Sequence, residues 1–238
     1  MRLVCVIPAR RGSSRLPDKP LRLLHGEPLI RVVARHALEL DLGGPVIVAS
    51  DDEGVLDAVA DLDVRPVLTS GSHRSGTERV AEVAARPECA EADIVLNLQG
   101  DEPFLSRSAA LGAVDRVRTG DDIGTAAQAL EPSGWRNPAR VKVEVDGRGR
   151  ARRFYRTPIP GACSRRLPTF QHLGVYAYSP AVLRRWVTAS PTADEAAEAL
   201  EQLRPLALGM GIGVATVNER VSHGIDTEDD LRAAEALQ

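Results

Sequence analysis

Lysine is nearly missing from this 238-residue chain: of 30 basic residues only Lys19 and Lys142 are not arginine. That bias fits GC-rich coding. It also makes each lysine a position to be explained, because an ammonium is a compact point charge and a guanidinium a planar fork. Long apolar runs are missing too. No stretch approaches the ~20 residues of a membrane span. The opening residues run into a strand pattern without the apolar core and cleavage site of a secretion signal. Cysteine is scarce: Cys5, Cys89 and Cys163 are odd in number and widely spaced, so neither a disulfide frame nor a zinc knuckle is suggested. A reducing cytoplasm is the expected location. Positive charge is not in excess. A net charge of −3 and a pI of about 6.0 argue against a general nucleic-acid coat. The glycine signatures of P-loop enzymes and of dinucleotide-binding dehydrogenases are both missing after the first apolar run. "GMGIG" at 209–213 has G-x-G spacing, but late in the chain and before a strand. No internal repeat or low-complexity linker interrupts the chain.

What remains is a regular alternation. "RLVCVIPA", "PVIVAS", "RPVLTS" and "DIVLNLQGDEP" read as buried strands. "PLIRVVARHALEL", "DEGVLDAVADL", "SGTERVAEVAA" and "SRSAALGAVDRVRT" carry apolar residues at helical spacing. Strands alternating with helices of this length imply βαβ units and a doubly wound, mostly parallel sheet. After Gly124 the pattern turns more antiparallel, with "DGRG" suited to a hairpin turn. "PAVLRRWVTAS" and "TADEAAEALEQLRPLALGM" follow as a helical pair. "GVATVN" is a last strand, and Asp226 or Thr227 can cap the terminal helix. The expected organisation is one α/β domain over residues 1–238 with an arm-like insertion around 130–180.

The first strand pattern ends in "IPARRGSSRLPDKP", which places Arg10, Arg11, Arg15 and Lys19 in a loop stiffened by proline. In an open α/β sheet ligands bind at the carboxyl ends of the strands. Backbone N–H groups around Gly12 and the two serines, with Arg10, Arg15 and Lys19, would suit a polyphosphate. A solvated basic loop is the plainer alternative, and the position after strand one argues against it. The fourth strand pattern ends in Gln99, Gly100, Asp101 and Glu102. Polyphosphate calls for a hard divalent cation, and Mg²⁺ takes one or two carboxylates plus phosphate oxygens. Asp101 is the first candidate ligand. Asp226 could be the second, or simply a helix cap.

"IPARRGSSRLPDKPL", "ASDDEGV", "RSGTERVAEV", "VLNLQGDEP", "NPARVKV", "FYRTPIP", "HLGVYAYSP", "EALEQLR" and "GIDTEDDL" together resemble the CMP-KDO synthetases, the 3-deoxy-manno-octulosonate (KDO) cytidylyltransferases, in the family's order and across almost the whole chain. The resemblance implies a Rossmann-like nucleotidyltransferase fold with an antiparallel dimerisation insertion, and a homodimer. It implies CMP transfer from CTP to a sugar acid with Mg²⁺ and release of pyrophosphate. It puts Arg10, Arg15 and Lys19 on the CTP phosphates, with Lys19, Arg10 and Asp101 as the catalytic set. Ser75, Gly76, Thr77 and Gln99 would line the cytosine and ribose side. Asp101 and Asp226 would hold magnesium. Arg156, His172, Tyr176, Glu201 and Gln202 would grip the acceptor, with Arg156 on its carboxylate.

Two departures from the family bear on the acceptor. Tyr155 stands where a small residue is usual, and the segment from Pro160 to His172 is short. Both suggest a smaller pocket, with Tyr155 added to its lining. Hence a small phosphonate such as phosphonoformate, its charges gripped by Arg156 and His172, is the alternative acceptor to KDO. In an extended strand, though, Tyr155 and Arg156 would point to opposite faces, so the ring narrows the pocket only if the chain bends there. The arginine run at 148–156 reads as an exposed hairpin rather than an RNA site, and a non-catalytic nucleotide sensor is disfavoured by acids and cations flanking one cleft. No nucleic-acid or membrane partner is expected.

Overall fold

The computed structural model describes residues 1–12, 15–157, 167–219 and 224–237. Cys163 and most of the shortened segment before His172 lie outside them. The chain forms two compact units, Met1–Arg107 with Ser222–Gln238, and Ser108–Val221.

The first unit is built on four parallel strands in the spatial order Ile94–Leu98, Leu3–Ala9, Val46–Ser50, Arg65–Leu68. Every residue of Leu3–Ala9 and of Ile94–Leu98 is buried, as expected of parallel strands covered on both faces. The fourth strand in sequence therefore lies beside the first, so the strand order reverses between Leu3–Ala9 and Ile94–Leu98. That reversal opens a crevice at the carboxyl ends of these two strands, where α/β sheets bind ligands. Helices Leu29–Glu39 and Gly76–Ala84 bury Val33, Ala34, Val80 and Val83. The helix expected from "DEGVLDAVADL" is regular only over Glu53–Asp57. Beyond it the bonds tighten to i→i+3, from Val59 N–H to Leu56 O and from Ala60 N–H to Asp57 O.

In the second unit, Ile123–Ala129 runs parallel to Ile212–Val217 and antiparallel to Thr169–Tyr178. The strand Lys142–Val145 pairs antiparallel with Thr169–Tyr178 and with Ala151–Tyr155. The hairpin turn falls where "DGRG" placed it. Asp146 Oδ1 accepts from the N–H groups of Arg148 and Arg150, and Gly149 supplies the positive φ of 73°. The long helix expected from "TADEAAEALEQLRPLALGM" is two short ones, Ala193–Glu198 and Leu203–Ala207. They part at Ala199, which takes the left-handed conformation with φ 51°. A buried ion pair spans the break: Arg204 donates from Nε and Nη2 to the two Glu195 oxygens at 2.8 and 2.5 Å.

Candidate active site

The loop after the first strand is anchored by Leu16, which is 1% exposed. Asp18 then takes a left-handed conformation, φ 52°, and delivers Lys19 to the start of a single 3-10 turn, Lys19–Leu21. Lys19 Nζ is the centre of the first unit's charge cluster. It donates to Asp101 Oδ2 at 2.5 Å and to Asp226 Oδ1 at 2.8 Å. Arg15 Nη2 lies 3.0 Å from the other Asp226 oxygen. Burial alone would lower the Lys19 pKa; the two carboxylates outweigh it and hold the ammonium above its usual range.

Two close approaches bring the acids there. A side chain on Gly100 would meet the Pro8 carbonyl at 2.7 Å, so only glycine lets the "QGDEP" turn follow the end of the first strand. A Cβ on Gly224 would likewise be crowded, 3.0 Å from Glu102 Oε1 and 3.1 Å from Asp101 O. Ile225 N–H then donates to Asp101 O at 2.8 Å, which sets Asp226 beside Asp101. The open question about Asp226 is answered locally. Thr227 caps the helix Glu228–Glu235, with Asp230 completing a capping box, and the Asp226 carboxylate is left to Lys19 and Arg15.

Two carboxylates meeting on one cation position, among basic groups suited to phosphate, are the donor set Mg²⁺ takes together with phosphate oxygens. Asp101 and Asp226 therefore fit the ion. Among the described residues no cluster of three or more metal-ligating side chains occurs, and Mg²⁺ shared with a triphosphate does not need one.

The other residues expected on the nucleotide side are distributed as follows. Arg10 Nη1 donates to Arg74 O at 3.4 Å, one residue before Ser75. Ser75 Oγ is engaged as the N-cap of Gly76–Ala84, accepting from Glu78 N–H. Thr77 is buried. Gln99 Nε2 donates to the fully buried Asn97 Oδ1 at 2.9 Å, which turns Gln99 Oε1 toward Gly76; a Cβ there would sit 3.5 Å from it.

The residues expected to grip the acceptor lie in the second unit. Tyr176 is buried, and its hydroxyl pKa is pushed well above the usual range, first by burial, then by the Glu201 carboxylate, against the opposing pull of Arg156. Gln202 is 4% exposed. Arg156 donates from Nε to Glu198 O, from Nη1 to Pro138 O and from Nη2 to Ala199 O, at 3.0–3.3 Å. A guanidinium has five N–H groups, so three fix its orientation and two remain for a carboxylate. His172 is half-buried, and desolvation pushes its pKa down to about 3. It is therefore a neutral ring, which departs from the expectation that it grips a charge.

The strand stays extended through Tyr155, which pairs with Lys142. Alternation then decides the faces. Phe154 meets the His172 ring edge-on at 5.2 Å, while Tyr155 shares its face with Arg153, whose guanidinium lies 4.9 Å from the Tyr155 ring. The bend that would turn Tyr155 onto the acceptor side does not occur up to that residue.

A protein-family model described as "Cytidylyltransferase" matches residues 4–212. A 3-deoxy-manno-octulosonate cytidylyltransferase of Gemmatimonas aurantiaca is 46% identical, over 97% of this chain and 92% of that protein. One of Methylococcus capsulatus is 40% identical, over 96% and 94%. The chain belongs to the 3-deoxy-manno-octulosonate cytidylyltransferase family. It is accordingly a nucleotidyltransferase. The solved structure of a CMP:2-keto-3-deoxy-manno-octonic acid synthetase complexed with CTP superposes with a TM-score of 0.88 at 36% identity, covering all of this chain and 98% of that one. A 4-diphosphocytidyl-2C-methyl-D-erythritol synthase from Anaerococcus prevotii, at 13% identity and TM-score 0.63, shares the fold alone.

In this cytidylyltransferase three further residues, none of them a candidate from sequence, touch those expected to hold the acceptor. Phe154 and Trp186 pack on residues expected to grip the acceptor, Phe154 on His172 and Trp186 edge-on to Tyr176 at 5.8 Å. Thr125, fully buried, holds His172 Nε2 at 2.9 Å. The aromatics carried a signal, period-2 placement in a strand and an apolar helix face. Thr125, in "IGTAAQAL", carried none. Nothing in these relatives supports the phosphonate acceptor. Four of the five arginines in the run at 148–156 are engaged within the chain: Arg150 on Asp121, Arg152 on Asp146, Arg153 over Tyr155, Arg156 on carbonyls. No helix among the described residues is long and apolar enough to cross a membrane.

Proposed function

We propose that the chain transfers CMP from CTP to 3-deoxy-manno-octulosonate and releases pyrophosphate. The observation that carries this reading is the junction of Lys19, Arg15, Asp101 and Asp226 at the carboxyl ends of two adjacent parallel strands, in a chain whose relatives bear that activity in their names. An acceptor hydroxyl oxygen forms a bond to the α-phosphorus as the bond to the bridging oxygen of pyrophosphate breaks, and the hydroxyl proton leaves to solvent. Arg10, Arg15 and Lys19 offset charge on the triphosphate, held in place beforehand so that little reorganisation accompanies reaction. Asp101 and Asp226 would hold Mg²⁺, which when bound adds Lewis-acid stabilisation to the phosphate oxygens. Gln99 and the Ser75–Thr77 segment orient the base and ribose. Arg156 takes the acceptor carboxylate with its two remaining N–H groups, and Tyr176, Glu201 and Gln202 contact the sugar. A cytoplasmic homodimer completes the reading, as the family resemblance suggests, and light scattering tests the assembly.

The experiment is pyrophosphate release with CTP and Mg²⁺ in three arms: KDO, phosphonoformate, and no acceptor. Release only with KDO supports the reading. Release with phosphonoformate and none with KDO restores the small-acceptor alternative. CTP binding with no release in any arm makes the chain a sensor.

A further inference from the structure

The antiparallel pair Ile123–Ala129 and Thr169–Tyr178 contains an irregularity that bears on His172. Leu173 lies opposite Ala126, yet Tyr176 lies opposite Thr125, so Gly174 and Val175 bulge out of register. A bulge re-aims the groups beside it. Here the Val175 carbonyl comes to 2.7 Å from Thr125 Oγ1, with the Leu173 carbonyl more distant at 3.5 Å. The third neighbour of that hydroxyl is His172 Nε2, at 2.9 Å.

The proton count follows from the chemistry of the three groups. A threonine hydroxyl has one proton to give, and a carbonyl can only accept. The proton therefore goes to a carbonyl, Val175 O by distance. Thr125 Oγ1 can then face His172 Nε2 only as an acceptor, so the ring carries its proton on Nε2. The reverse assignment would point two oxygen lone pairs at each other across 2.7 Å. Desolvation against Phe154 and Tyr176 keeps the ring neutral at working pH. Nδ1 is then left with a bare lone pair, and no described residue donates to it. A lone pair repels a carboxylate or phosphonate oxygen and accepts from a hydroxyl.

We propose that Thr125 is a positioning residue that holds His172 in its Nε2–H tautomer, and that His172 Nδ1 accepts a hydrogen bond from a hydroxyl of the acceptor, selecting polyhydroxylated acids over bare anions. The second half rests on the function proposed above; the first half does not.

The test combines tautomer and kinetics. With ¹⁵N-histidine, NMR of the wild-type chain should show His172 as the Nε2–H form, and KDO should shift Nδ1. Thr125→Val keeps the shape but removes the hydroxyl. It should populate the other tautomer and raise KM for KDO about tenfold, the scale of one lost hydrogen bond, while KM for CTP stays unchanged. Thr125→Ser keeps the hydroxyl and should restore both readouts. A wild-type Nδ1–H tautomer, or wild-type KDO affinity in Thr125→Val, overturns the proposal. Should Thr125→Val not fold, wild-type NMR with KDO decides, since an Nδ1 signal that ignores KDO also overturns it. If the wild-type chain binds CTP but never uses KDO, the proposed function fails, and the tautomer still reports on Thr125 alone.

Discussion

Replacing Lys19 by methionine removes the one ammonium that separates Asp101 from Asp226. The consequence can be worked from the geometry. Both carboxylate oxygens lie on a single nitrogen, at 2.5 and 2.8 Å, so they are roughly 5 Å apart or closer. Two unit negative charges at about 5 Å repel by roughly 3 kcal/mol at an effective dielectric near 20. Water reaches both acids, which are 29% and 38% exposed, and screening reduces the repulsion to ~1–2 kcal/mol. Arg15 remains on Asp226 and offsets part of that. The variant should therefore melt a few degrees lower in EDTA, by the usual conversion of ~1 kcal/mol in a unit of this size. Mg²⁺ should act in the opposite sense. Two carboxylates without a counter-ion are a better divalent site than two carboxylates already bridged by an ammonium. Added Mg²⁺ should raise the melting temperature of Lys19→Met by more than that of the wild type, although the variant has lost its phosphate contact and turns over poorly. The assay is a thermal melt across a Mg²⁺ titration, with Ca²⁺ and raised NaCl as controls for ionic strength. An equal or smaller Mg²⁺ shift in Lys19→Met refutes the argument, because it means that Asp101 and Asp226 do not share an ion.

Lowering the pH should destabilise the second unit through His172. Its folded pKa, about 3, lies below the ordinary 6.5, so its contribution is complete above pH 6.5 and is lost as pH falls toward 3; His172→Gln should flatten that part of the stability–pH curve. Arg204→Leu should cost ~3–5 kcal/mol by taking the guanidinium from the buried Glu195 carboxylate, measured by urea unfolding, and the double variant with Glu195→Leu should recover most of it. Tyr155→Ser should lower stability by ~3 kcal/mol, the scale of deleting a buried ring. It should leave KM for KDO unchanged, since Phe154 and not Tyr155 meets His172; an improved KM would bring back the narrowed pocket.

The scarcity of lysine in the sequence pointed to two positions, and the structure gives them opposite roles. Lys19 follows a strand that ends at a ligand-binding edge, and it became the hub of the acids. Lys142 lies within a strand and is fully buried; its ammonium donates to Asn137 O at 2.6 Å and Arg156 O at 2.7 Å. Composition flags both residues alike, whereas position along a strand separates them. The parallel strands, the cation loop and the two aspartates could be read because each depends on local pattern and strand order. The proton on His172 could not be, because it depends on a bulge that brings Val175 O to Thr125, a contact between strands with no trace in either. Lys142 supplies the sharpest contrast. Burial, with Arg156 nearby, lowers its pKa, whereas the acids raise that of Lys19. The signs then diverge at alkaline pH. Lys19 contributes stability that is complete below pH 10.5 and lost as pH rises through its raised folded pKa. Lys142 costs stability while charged, and that cost is relieved as pH climbs through its lowered pKa toward 10.5. Lys142→Met should leave the half-buried Arg156 carbonyl without its ammonium donor, while Asn137 O keeps the Arg140 N–H, a loss of ~1–3 kcal/mol. It should also weaken acceptor binding through Arg156, whose carbonyl it holds, while CTP affinity by calorimetry stays as in the wild type. Lys19→Met should do the reverse, weakening CTP and sparing the acceptor side. If both variants lose CTP affinity to the same extent, the division of labour between the two lysines is wrong.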